Sequence, residues 1–219
     1  MQKITIRELL GRDLNYVEQK YAPTELYVED IMKLPLKDPR VSVIGTRHPS
    51  LEGLNVTKMI VERLVKEGVI VVSGLARGID TVAHTTAIER GGKTIAVLGT
   101  PLNRFYPPEN KELQLKIMKE HLAVSQFPPN HASIPSDFLA RDRTIVLISN
   151  VTVIAEAGPR GGSVFTGWEA IRLGRPLYIW KDTFDNPNLT WTRKIEKHGA
   201  RKLDERLIDE LIDKLKERM

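Results

Sequence analysis

Three loops in this chain combine glycine with arginine at spacings that suit an anion. The first is Gly45-Thr46-Arg47-His48-Pro49-Ser50, running on to Gly53, and the second is Ser73-Gly74-Leu75-Ala76-Arg77-Gly78-Ile79-Asp80. The third is Glu156-Ala157-Gly158-Pro159-Arg160-Gly161-Gly162-Ser163, running on to Thr166. Glycine lets backbone N–H groups approach a ligand closely, and a helix starting just beyond favours negative charge. The cradle this predicts uses the backbone of Gly45, Thr46, Gly74, Gly78, Gly161, Gly162 and Ser163, with Arg47 and Arg77 as guanidiniums that pair with phosphate. A fourth segment, Phe138-Leu139-Ala140-Arg141-Asp142-Arg143, sets an aromatic ring beside two guanidiniums, which is a stacking face with phosphate clamps. Its plainer reading puts Phe138 in the core and pairs Arg143 with Asp142 or another acid.

Other chemistries fit less well. The first loop is not GxGxxG, and Ser73 stands where an acid would meet a dinucleotide ribose, so a plain dinucleotide site is disfavoured. There is no GxxxxGK[ST] loop for ATP. The chain has no cysteine, which excludes disulfides and thiolate metal sites, and no clustered carboxylates stand at the strand ends to hold catalytic ions. No metal and no cofactor are expected. His84 is either a base or a buried structural donor, and Asp80 suits a helix cap. Glu169, in the helix after the third loop, is either a solvated face residue or an acid for nucleotide hydrolysis, with Glu156 as the other candidate acid.

The elements that must position these loops alternate regularly. Apolar runs at 41–45, 69–73, 94–99, 122–127, 151–157 and 176–180 read as strands, with helices at about 50–67, 79–89, 109–120, 136–149 and 163–174 between them. Strands apolar on both faces and alternating with helices indicate a parallel sheet covered on both sides, an α/β doubly wound, extended Rossmann-like fold. Such a sheet places its ligand beyond the carboxyl ends of the strands, where all three glycine loops fall. Residues 1–40, broken by Pro23, Pro35 and Pro39, read as a short helical or irregular N-terminal lead-in to a domain over 41–219. The tail sets Leu203, Leu207, Leu211 and Leu215 four apart, an amphipathic C-terminal helix whose stripe docks either on its own domain or on a second subunit.

The 219 residues are 41% hydrophobic and 28% charged, ordinary for a folded protein, with a formal charge of +5 that leans toward an anionic partner. No apolar run approaches the roughly 20 residues that cross a bilayer, and the N-terminus lacks a secretory pattern, so a cytoplasmic location without membrane attachment is expected.

GTR-x-PS-x-x-G, SGLARGIDTVAH, TIAVLG, YPPEN and SQFPP follow one another in that order over about residues 41–180. In this the chain resembles the DprA/Smf family (DNA processing protein A). The resemblance implies a single-stranded-DNA-binding protein that is not an enzyme, acting in DNA uptake and recombination. It further implies strand protection, a homodimer and a RecA-type recombinase as partner. The DNA contacts it suggests are Arg47, Ser73, Arg77, Phe138, Arg141 and Arg143. Asp142 departs from the asparagine usual in the family at that place. The glycine-rich third loop is also similar to that of cytokinin-activating phosphoribohydrolases. The alternative is therefore a nucleotide-binding or phosphoribohydrolase-like enzyme using Glu169 or Glu156.

Overall fold

The computed structural model describes residues 1–30 and 32–217. Among the described residues nine strands join one sheet: β1 (Gln2–Ile4), β2 (Leu26–Asp30), β3 (Arg40–Gly45), β4 (Ile70–Ser73), β5 (Thr94–Leu98), β6 (Leu122–Ser125), β7 (Val151–Glu156), β8 (Leu177–Trp180) and β9 (Arg201–Leu203). Ten α-helices among the same residues connect and cover them. They are α1 (Ile6–Leu10), α2 (Tyr16–Tyr21), α3 (Leu51–Lys66), α4 (Ile79–Glu89), α5 (Lys111–Glu120), α6 (Pro135–Ile148), α7 (Gly162–Arg172), α8 (Lys181–Phe184), α9 (Thr190–Glu196) and α10 (Leu207–Lys216).

The spatial order is β1-β2-β6-β5-β4-β3-β7-β8-β9. From β6 to β9 every neighbouring pair is parallel, while β1–β2 and β2–β6 are antiparallel. The chain runs outward from β3 through β4 and β5 to β6, then returns to the other side of β3 with β7. That reversal makes β3/β7 the switch point, where parallel sheets open a crevice. A register shift at Ile44/Gly45 leaves Gly45 beside Glu156, and Thr46 N donates to Glu156 O at 2.8 Å, tying the two strand ends together at the crevice.

Side-chain alternation along each strand feeds two layers of core. Ile70 and Val72 pack on one face with Ile145 and Ile148 of α6 and Ala170 of α7; Val69 and Val71 pack on the other with Ile60 and Leu64 of α3. α3 is capped by Ser50, whose hydroxyl accepts from Gly53 N at 3.0 Å, and it is followed by Gly68 at φ 75°.

Two expectations change. The lead-in carries helices, α1 and α2, as one of its two readings had it, and adds strands that neither reading had: β1 and β2 extend the sheet along β6, and Ile6, Leu9, Leu26 and Leu36 share the core of the strands that follow. The tail is not one helix, since Leu203 ends β9 beside Trp180. Leu211 and Leu215, with Ile208 and Ile212, are buried in the α3 core, so the stripe is satisfied within its own chain and is not the free subunit surface considered above. Among the described residues no helix is long and apolar enough to cross a membrane.

Candidate functional site

A cavity of about 700 Å³, open to solvent, lies at the β3/β7 switch point. Gly45, Thr46 and Arg47 form one wall, the turn Gly158–Thr166 the second, Thr100–Tyr106 the third, and one face of α6 the fourth. A helix turns about 100° per residue, so Phe138, Arg141, Asp142 and Ile145 share that face while Arg143 lies about 140° from Phe138.

Phe138 is half-buried in the wall between this cavity and a smaller annex of about 130 Å³ bounded by Gly74, Arg77 and Gly99. Tyr106, 44% exposed, has its ring 5.2 Å from that of Phe138. The guanidinium carbons of Arg47 and Arg141 stand 5.9 and 5.8 Å from the Phe138 centroid, at cation–π range. Arg47, Arg104 and Arg160 are exposed around the rim, and among the described residues none of the three has a carboxylate at ion-pair distance. The first turn of α7, through Gly161 (φ 130°), Gly162 and Ser163, completes the lining with N–H groups free of a side-chain cap.

The cavity floor is structural. Arg141, 4% exposed, donates from Nη1 to Val97 O at 3.0 Å and to Gly74 O, and from Nε to Asp142 Oδ1 at 2.8 Å. It thereby ties the ends of β4 and β5 to α6 and sits between two buried acids. Burial pushes Asp80 up to about 6, with the Arg141 charge opposing and Asp142 adding to the shift. Burial also raises Asp142, against the pull of Arg141. The expectation that Arg141 clamps a strand is thus corrected in part: Nη1 and Nε are held by two carbonyls and a carboxylate, and among the described residues only Nη2 is left without a partner.

Ser73 and Arg143 are corrected likewise. Ser73 is fully buried and donates its hydroxyl to Val43 O at 2.7 Å, closing the β3–β4 seam. Arg143 lies outside the cavity, with Nε 2.8 Å from Glu169 Oε2 and its guanidinium over Tyr21 and Phe165. Gly78 lies off the cavity as well. Its φ is 77°, and a Cβ placed on it would stand 2.5 Å from Thr46 O, so this glycine packs the second loop on the first. Arg77 does sit at the annex, held by Glu109 through Nη2–Oε2 at 3.1 Å and a closer Nε contact. The YPPEN run therefore supplies Tyr106 to the aromatic wall and Glu109 to Arg77. It also supplies Asn110, whose Nδ2 donates to Leu75 O at 2.9 Å.

The acid–base candidates are committed elsewhere. Glu156 accepts from Ser50 N at 3.1 Å and from its hydroxyl at 2.9 Å, at the start of α3. Glu169 is fully buried between Arg143 and Arg172 and does not line the cavity. His84 is fully buried with Nδ1 2.7 Å from Thr94 Oγ1, and burial holds its pKa down to about 3. Among the described residues no three His, Cys, Asp or Glu side chains are grouped to hold a metal. Arg104 and Tyr106 were not singled out in the sequence, and Arg160, quoted within the third loop, was not assigned a contact, although both arginines obey the same strand-end rule that found Arg47.

Comparison with known proteins shows the family. The sequence model of the DNA recombination-mediator protein A family matches residues 12–216. A DNA processing protein DprA of Streptococcus pneumoniae is 41% identical over 157 residues, covering 72% of this chain and 55% of that one. The chain thus spans about half the length of that curated relative. The X-ray structure of DprA from Streptococcus pneumoniae superposes with a TM-score of 0.77 at 30% identity, over 92% of this chain and 70% of that one. A DprA structure from Helicobacter pylori, solved for its single-stranded DNA binding mode, superposes with a TM-score of 0.80 at 27% identity, over 99% and 97% of the two chains.

Proposed function

Because the chain belongs to the DNA recombination-mediator protein A family, we propose that it holds single-stranded DNA across the switch-point cavity and performs no chemistry on it. The observation that carries this reading is the pair Phe138 and Tyr106 ringed by the exposed guanidiniums of Arg47, Arg104 and Arg160. Aromatic faces stack on any base, and arginines neutralise phosphates, so the site grips a strand without reading its sequence. A duplex hides the base faces that the rings need.

The cradle that supports the phosphates is the backbone of Gly161, Gly162 and Ser163 with Gly45 in the facing wall, and Gly74 and Arg77 beside the annex; Thr46 drops out of the expected set because its N–H is spent on Glu156 O. The family's description as a recombination mediator supports hand-over of the strand to a RecA-type recombinase, and a homodimer would present two such cavities on one particle. The burial of Leu211 and Leu215 directs any subunit contact away from the α10 stripe.

Fluorescence anisotropy with thymidylate oligomers of increasing length, a duplex of matched length, and thymidine monophosphate tests the reading. The expected result is affinity that grows with strand length and exceeds that for duplex. Saturation by the mononucleotide alone, or release of base from nucleoside monophosphates with magnesium present, would support a nucleotide-hydrolysing site instead.

A further inference from the structure

Helix α9 carries charge that the switch-point cavity does not use. In the run 190–202 the cations are Arg193, Lys194, Lys197, Arg201 and Lys202, and the one acid is Glu196. Trp191, Thr192 and Ile195 bury one face of α9. At about 100° per residue, Arg193, Lys194 and Lys197 fall within an arc of about 100° on the opposite face, and Glu196 lies outside it. Lys197 keeps helical backbone angles, so the arc holds to the end of the helix. All three side chains are exposed, and among the described residues none has a carboxylate at ion-pair distance.

The stripe is fastened to the cavity. Trp191 Nε1 donates to Gly158 O at 3.0 Å, which ties the first turn of α9 to the cavity's second wall. From there α9 runs beside α7, away from the cavity mouth. A Cβ built on Gly167 would stand 3.2 Å from Ile195 Cδ1, and the exposed His198 ring lies edge-on to Trp168 at 5.1 Å. His198 Nδ1 donates to Lys194 O at 3.0 Å, holding the ring beside the cations. The stripe thus starts at the wall that bears Arg160 and leads away from it along α7.

Charge and side-chain type decide what fits. The exposed residues of α9 include no apolar side chain, so nothing here seats the anchor of a peptide or the core of a subunit contact. A second copy placed about a two-fold axis through this face would set the cations against themselves. Successive cations beside an exposed ring suit a single strand.

We propose that a strand leaving the cavity past Gly158 continues along α9, its phosphates on Arg193, Lys194 and Lys197 and a base against His198. The inference rests on the strand-binding reading of the cavity and extends its footprint by about three phosphates.

Anisotropy with oligothymidylates of about six and about twenty nucleotides separates the two surfaces, since the shorter is filled by the cavity alone. An Arg193→Gln/Lys194→Gln/Lys197→Gln variant should bind the shorter oligomer as wild type does. For the longer one it should lose at least about tenfold at about 0.1 M salt, with a salt slope lower by about 2, at about 0.7 per phosphate. His198→Ala should weaken the longer oligomer about fivefold with the slope unchanged. Arg193 and Lys194 also suit the carboxyl end of a helix, so the charge-keeping variant Arg193→Lys/Lys194→Arg/Lys197→Arg is measured alongside and should match wild type. Wild-type affinity and slope for the longer oligomer in the glutamine variant overturn the inference, whatever its melting temperature. An equal loss for a duplex of matched length overturns it too, by making α9 a general polyanion face. Failure of the cavity reading shows differently, as a shorter oligomer that Arg47→Ala does not weaken, and takes this continuation with it.

Discussion

The ring of Phe138 lies directly against Gly99: a Cβ built on Gly99 would stand 2.5 Å from Cδ1 and 2.8 Å from Cε1. Gly99 closes β5 at a backbone angle open to any residue, so only the ring forbids a side chain there. Gly99→Ala must therefore displace Phe138 toward the cavity. Because the ring is half-exposed it can move, and strand affinity should fall by roughly 1 kcal/mol, the low end for one stacked base. Affinity unchanged with a lowered melting temperature would make Phe138 a core prop.

Glu109 holds Arg77 at the annex through an exposed ion pair. Such pairs contribute about 0–1 kcal/mol to stability. Glu109→Gln should leave the melting temperature nearly unchanged and free Arg77 for phosphate. Oligothymidylate binding should tighten, and its salt dependence should steepen by about 0.7 log units per log unit of salt. Weaker binding would mean that the pair orients Arg77 productively.

Arg141 is the cation between two buried acids, and removing it leaves Asp80 and Asp142 without their buried countercharge and takes one donor from Gly74 O and Val97 O. Arg141→Met should cost about 3–5 kcal/mol by chemical denaturation, as loss of one member of a buried ion pair does. A stable variant with weakened strand binding would restore the direct contact expected from the sequence.

Two buried groups give opposing pH dependences. His84 falls from its ordinary 6.5 to about 3 on folding, so below pH 6.5 the unfolded chain takes a proton that the folded one refuses, and stability is lost as pH falls. Asp80 rises from 3.8 to about 6, so the folded chain holds the extra proton in that interval and stability is lost as pH rises. The two slopes offset each other in the wild type. The destabilisation caused by His84→Gln should therefore shrink between about pH 7 and about pH 4.5, and that caused by Asp80→Asn should shift the opposite way. Denaturation midpoints at both pH values decide it; parallel curves would place neither titration at these residues.

Much of the architecture was legible because its central strands are apolar runs, most of them closed by glycine and β6 by Pro128-Pro129, and their helices carry one apolar face. β1 and β9 escaped notice because short edge strands need neither property, and β2, paired between β1 and β6, did so because LYVED is short and ends in two acids. β9 was hidden further by Leu203, which falls in phase with the leucines of α10. The cavity itself was legible through the strand-end rule, which found Arg47 and the glycine turns and would have found Arg104 and Arg160. Charge and composition do not reveal which way a side chain faces. Arg141 and Arg143 look alike in sequence, yet the helical angle sends one to the floor and the other to Glu169.

A strand lying on Phe138 under Arg47 leaves a distinct mark on one salt series. Oligothymidylate affinity would be measured across salt for the wild type, Arg47→Ala and Phe138→Ala, with melting temperatures alongside. Removing Arg47 should lower both the affinity and the salt slope, the slope by about 0.7, since one phosphate loses its cation. Removing Phe138 should cost about 1–3 kcal/mol of binding with the slope unchanged, since stacking releases no counterion. Wild-type affinity and slope in both variants, with folding intact, would contradict the account and place the strand elsewhere on the protein.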